Sequence, residues 1–316
     1  MHVQLLIMAL RLQRTVMRGF LPVATMLAVI LAFPCAAGES LEQGHAIVQR
    51  TWERLSGPEH DWRERGAQVD RVFDTSVLPH TDTLSSLAAS DLRVLLRATH
   101  TAAVASKQPR YSAIALRLGA ELRRRGELHP ADARAGAAIA MLSRDALALT
   151  PASPWLAAFN GRPVPRFPDA IKPLEYWTPG PDGESFSPAQ ADLASLDIIV
   201  IAHPACGFTR AAAEAARTDP ELLRMLSGPR ALWMSPQDGT LNPRIFTDWD
   251  ERHPDLPIHI VARQSGFPDV GYWGTPTFYI LRDGRVAARV VGWPRGGNKA
   301  TLTKAIADAA VPRRSQ

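Results

Sequence analysis

The sequence predicts a small all-α domain followed by an α/β domain, whose mixed sheet carries helices on both faces. Three observations predict this. From Ser40 to about Leu149, apolar residues recur at spacings of three and four, the period of a helix with one buried face. From Leu196 onward, short apolar runs alternate with helix-start signals, the pattern of strands covered by helices. Between the two, Pro151 to Pro188 holds nine prolines, enough to exclude a long helix or a central strand. The implied organisation is 1–37 export signal, 38–150 helical domain, 151–190 connection and 191–316 α/β domain.

The first 37 residues read as an export signal. Arg11, Arg14 and Arg18 precede an uninterrupted apolar segment from Phe20 to Phe33, followed by Pro34-Cys35-Ala36-Ala37-Gly38. Small residues at Cys35 and Ala37 place the cleavage after Ala37, and Met17 would begin a leader of ordinary length. A periplasmic protein is the expectation. The alternative is an inner-membrane anchor, because Gly19 to Gly38 is about long enough to span a bilayer if uncleaved. Cleavage removes Cys35 and leaves Cys206 as the one cysteine, so no internal disulfide can form. In an oxidising compartment a lone thiol is buried and inert, paired with another molecule, or reactive.

Composition narrows the function classes. With 46% hydrophobic and 21% charged residues the chain is ordinary for a globular protein. Its net charge of +5 falls to +2 once the three leader arginines are removed, too small an excess for a nucleic-acid binder.

The helices follow in order. Ser40 and Gln43 form a capping box, and Trp52 and Leu55 continue its helix until Gly57-Pro58. A second helix spans Asp91 to Ala105. A third carries Tyr111, Ile114, Leu118 and Leu122, and a fourth carries Ala135, Ile139, Leu142, Ala146 and Leu149. With no second copy at a fixed period, an ordinary bundle is expected rather than a tetratricopeptide-type repeat. Arg123-Arg124-Arg125 reads as a solvated helix end. In the connection, Trp155, Phe159, Phe167, Tyr176, Trp177 and Phe186 are too apolar to remain in water and are expected to pack.

In the last third, Leu196–Ile201, Ala231–Met234 and Ile258–Ala262 are apolar runs suited to buried strands. Asp219-Pro220 is an N-cap with proline at the first helical position, and Asn242-Pro243 repeats the device before Arg244 to Arg252. Asp283-Gly284, between apolar runs, marks a hairpin returning as Arg285 to Val291. A helix from Asn298 to Ala310 closes the chain.

Chemistry concentrates at His203-Pro204-Ala205-Cys206-Gly207-Phe208-Thr209, directly after Ile198-Ile199-Val200-Ile201 and before an alanine-rich helix. A thiol at a helix N-terminus meets unsatisfied backbone NH groups and the positive end of the dipole, which favour the thiolate. The Thr209 hydroxyl, one turn on, is placed to hydrogen-bond that anion. Arg210 either favours the anion or is solvated. His203, His253 and His259 lack the clustered spacing of a metal site, so no metal is expected.

The order strand, Cys-x-x-Thr, helix, Thr275-Pro276, hairpin, helix resembles the thioredoxin superfamily over about the last 125 residues, and Cys206-Gly207-Phe208-Thr209 is similar to the Cys-Gly-Phe-Ser of monothiol glutaredoxins. The resemblance implies a thioredoxin-like sheet, a cis Pro276 facing the sulfur, and Thr275 backbone groups that pair with an extended substrate. It implies a mixed disulfide at Cys206 with protein or peptide thiols and disulfides. Thr209 stands where a second cysteine would resolve that intermediate, so glutathione, a partner protein or a substrate thiol must do so, and no bound cofactor is implied. The Cys-to-Pro interval is longer than in a minimal thioredoxin, which points to an inserted helix or strand. The alternative function is a redox-inactive binding or assembly module whose helical domain recruits a protein partner.

Overall fold

Ser40 opens the first helix as a capping box: its Oγ accepts from the Gln43 NH at 3.3 Å, and the Gln43 side chain accepts from the Ser40 NH at 2.9 Å. The computed structural model describes residues 40–310, except 163, 169, 183, 184 and 241. The export signal and its cleavage site lie outside the described residues. Five α-helices come first: α1 (Leu41–Arg54), α2 (Trp62–Ser76), α3 (Ala89–Ser106), α4 (Pro109–Arg124) and α5 (Pro130–Ser143).

Three features of this layer depart from the sequence expectation. Helix α2 was not expected. Asp61 caps it, accepting from the Arg63 NH at 2.7 Å, and Trp62, Val69 and Phe73 form its buried stripe. Helix α5 stops at Ser143 instead of running to Leu149, because Arg144 turns into the left-handed region with φ 52°. The arginine triplet is not simply solvated either. Arg123 donates to the carbonyls of Ala152 and Ser153, and Arg125 to those of Leu84 and Leu87. These are contacts of long side chains with loop carbonyls that helix periodicity does not reveal.

The connection packs as its aromatic content requires. Trp155, Phe159, Phe167 and Trp177 are buried. Trp155 lies so close to α4 and α5 that a Cβ at Gly119 or Gly136 would sit 2.1 or 2.3 Å from its ring. The same segment also forms β1 (Glu175–Pro179) and β2 (Phe186–Gln190), an antiparallel pair. This overturns the reading that its prolines exclude a central strand, since β1 lies inside the sheet, between β2 and β5. The prolines are accommodated because Pro179 ends β1 and Pro188 sits on β2, the edge strand, where a ladder donor is dispensable.

The remaining elements alternate: β3 (Ile198–Ile201), α6 (Gly207–Thr218), α7 (Pro220–Leu226), β4 (Ala231–Ser235), α8 (Arg244–Arg252), β5 (Ile258–Val261), β6 (Thr277–Arg282), β7 (Arg285–Val291) and α9 (Lys299–Ala310). The sheet has seven strands in the order β2-β1-β5-β4-β3-β6-β7. β3, β4 and β5 are parallel, and the remaining pairings are antiparallel. This mixed α/β sheet, preceded by a helical region, is compatible with a thioredoxin-like fold. The long Cys-to-Pro interval holds α6, α7, β4, α8 and β5.

Strand alternation divides the apolar residues between two faces. Ile198 and Val200 share one cluster with Ala212 and Ala216 of α6, Leu222 of α7, Trp249 of α8 and Leu302 of α9, and that cluster continues into the helical region. Ile199 and Ile201 point the other way, to Phe267, Val270 and Trp273 and to Trp62 in the first turn of α2. Helical elements therefore touch both faces. No helix among the described residues is long and apolar enough to cross a membrane.

The hairpin turn has φ 51° at Asp283 and 73° at Gly284, the two positive values that a type I′ turn requires. Gly284→Ala is expected to cost about 1 kcal/mol, read as a lowered midpoint in urea with an unchanged slope.

Candidate functional site

Cys206 is the N-cap of α6, directly after the carboxyl end of β3. The Ala-rich first turns of α6 let the helix sit close to the sheet, with Ala212, Ala213 and Ala216 fully buried. Cys206 is half-buried and unpaired, and its Sγ lies 3.3 Å from the Thr275 carbonyl oxygen. The Thr275–Pro276 peptide is cis. The structure thus brings Cys206, Thr209, Thr275 and Pro276 to one place although 69 residues separate Cys206 from Thr275.

The thiol responds to opposing influences. Burial raises its pKa most strongly. Against this act hydrogen bonds from the Thr275 side chain, from the backbone and side chain of Thr209 and from the backbone of Phe208, and together they hold Cys206 below the ordinary thiol value. The Thr275 carbonyl works the other way: it accepts from the thiol and repels the thiolate. The net direction is downward because these hydrogen bonds together outweigh burial.

Thr209 is completely buried. Its Oγ1 accepts from the His203 NH at 3.4 Å, which leaves its hydroxyl hydrogen available to the sulfur. Arg210 donates instead to the Pro204 carbonyl at 3.1 Å, so it braces the loop. Phe208 is 58% exposed. It borders a shallow, largely apolar groove of about 600 Å³ with Ala211, Ala215, Trp293 and Pro294. Two larger clefts, of about 650 and 720 Å³, lie at the amino ends of the parallel strands, away from the sulfur.

Sequence reasoning missed the support beneath this loop. His203 Nδ1 accepts from the Ala205 NH at 3.1 Å, while Nε2 lies 2.9 Å from Asp238 Oδ2. Burial raises the Asp238 pKa, but His203 and Thr240 outweigh it and keep the carboxylate ionised. His203 is therefore engaged by a carboxylate from the β4–α8 loop, thirty-five residues further along the chain. His259 pairs with Thr178 at 3.2 Å, and His253 packs at a tilt of 37° against Trp249. Among the described residues no three His, Cys, Asp or Glu side chains form a group that would hold a metal ion.

The chain matches no protein-family model, no curated protein and no solved structure. What it does must accordingly be argued from its own residues. The arrangement suits nucleophilic sulfur: a half-exposed thiol, donors for its anion, and an apolar groove alongside.

Proposed function

We propose that the protein belongs to the thioredoxin superfamily and acts, after export to the periplasm, as a monothiol thiol-disulfide oxidoreductase. The Cys206 thiolate attacks one sulfur of a substrate disulfide. A Cys206–substrate disulfide forms, the original S–S bond breaks, and the other sulfur leaves as a thiolate that takes up a proton. A second thiol, from glutathione, a partner protein or the substrate itself, then attacks the mixed disulfide and restores Cys206. Thr209 stabilises the anion. Thr275 and Pro276 shape the groove in which an extended substrate segment would lie.

The observation that supports this reading is the placement of a half-exposed Cys206 at the N-terminus of α6, 3.3 Å from the Thr275 carbonyl of the cis Thr275–Pro276 peptide; the lowering of its pKa agrees with that placement. A second reading is a redox-inactive binding module that recruits a protein partner. The exposed Phe208 and the apolar groove beside it favour it, because they could hold a partner without sulfur chemistry.

The test is trapping in periplasmic extract. Wild type and Cys206→Ser are incubated, acid-quenched, alkylated and run on nonreducing gels. Adducts that require Cys206 and vanish with reductant are expected. An absence of adducts, with a thiol that resists alkylation until the protein unfolds, would leave the binding module.

A further inference from the structure

A second cleft, of about 290 Å³, opens between the helical layer and the carboxyl ends of β4 and β5. Trp62 and Arg63 of α2 line it, with Lys107 at the end of α3, Gln237 after β4 and Arg263 after β5. The carboxyl ends of parallel strands are where α/β sheets commonly take ligands. The cleft shares that end of the sheet with Cys206 without including it.

Among the described residues, the buried polar side-chain atoms without a partner in this region are the Trp62 indole NH and Arg65 Nε, both donors. The Trp62 indole NH is buried and has no acceptor. Among the described residues, Lys107 Nζ donates only to the Val104 carbonyl, in the last turn of α3. Arg65 is close enough for its charge to act on Lys107, and its Nε is buried without a partner. Among the described residues, no carboxylate lies within ion-pair distance of Lys107, Arg65 or Arg263. The one acid lining the cleft, Asp70, is engaged by Tyr111 and Arg110. Arg63 is likewise paired with Asp61. Burial, Arg65 and Arg144 push Lys107 down to about 7, against Asp238, whose charge favours the cation. Deprotonation of Lys107 would still leave Arg65 Nε and the Trp62 indole NH without acceptors among the described residues. Donors and unpaired cations that converge on a cleft are completed by a ligand of negative charge with several acceptor oxygens.

We propose that this cleft binds a small oxyanion, a carboxylate or a phosphate group, held between Lys107 and Arg263 with the Trp62 indole NH as a third donor. The site stands independently of Cys206 and of the redox reading.

The test is isothermal titration calorimetry on the purified protein with inorganic phosphate and, separately, with succinate, at ionic strength fixed by chloride. Saturable binding of at least one probe is expected. Phosphate alone, succinate alone or both would each support the site and identify its preference. Lys107→Met should weaken binding tenfold or more. Arg263→Ser, at an exposed position, should do the same, whereas Cys206→Ser and Arg295→Ser should leave it unchanged. No saturable heat with either probe, or binding unaltered by Arg263→Ser, would overturn the proposal.

Discussion

Thr209→Val slows alkylation of Cys206 by about tenfold at neutral pH and moves the pH profile of the reaction upward. Valine nearly matches threonine in shape, so the buried site stays filled, but the hydroxyl that donates to the sulfur is lost. A hydrogen bond to an ionised group contributes about 1.5–3 kcal/mol, and a factor of ten requires about 1.4 kcal/mol. The sign follows from which species is bonded. Removing a donor to the thiolate raises the thiol pKa, so less anion is present at any given pH.

A second readout checks the same cause through stability. The wild-type thiol has its pKa lowered in the folded state, so its contribution is present above the unfolded value and disappears as pH falls through the folded one. The stability gap between wild type and Thr209→Val should therefore widen as pH rises through the thiol range. Valine also leaves the His203 NH without its acceptor, a loss that does not vary with pH. Iodoacetamide rates measured from acid to alkaline pH, together with urea midpoints at each end, separate the two effects. An unchanged alkylation profile would show that the backbone donors of Thr209 and Phe208 suffice without the hydroxyl.

What was legible in the sequence was local. Cys206 before Gly207 and after an apolar run identifies a helix start behind a strand. Asp283-Gly284 identifies a turn by its φ requirement, and Asp219-Pro220 a capped helix. Each rests on a few neighbouring residues whose conformational preferences agree. What was missed depends on distant partners. Helix α2 had an available signal in Asp61 followed by Trp62, Val69 and Phe73, but its stripe is short of apolar residues and reads as loop. The end of α5 is fixed where Arg144 reaches the carbonyls of Val261 and Ala262, more than a hundred residues away. Strand β1 is recruited by β5 in a segment where composition argued against it. The Asp238 support for His203 had no sequence signal, because nothing in the spacing of two polar residues thirty-five apart says that they meet.

Arg144→Met lowers stability by about 3–5 kcal/mol, seen as a fall of roughly 10 °C in the thermal midpoint. The guanidinium is buried at the junction of α5 with β5. It donates to the Ala262 carbonyl at 3.2 Å and to those of Val261 and Met141 at 3.1 Å. Its carbon lies 5.5 Å from the Phe167 ring centroid and 5.2 Å from that of Trp177. Burial pulls its pKa down to about 10 while Asp238 supports the charged form, so it remains a cation at neutral pH. Methionine preserves much of the volume but removes three donors and one of the cations that face the buried Asp238. Arg144→Lys restores a charge but not the planar fork, which one ammonium cannot replace at three carbonyls and two rings, so it should recover less than half of the loss. Because Asp238 holds His203, and His203 carries the turn before Cys206, the damage should also reach the sulfur: Cys206 alkylation in the folded variant should depart from the wild-type rate. A variant within about 1 kcal/mol of wild type would mean that those carbonyls find other donors and that the helical layer is held to the sheet by its apolar contacts alone.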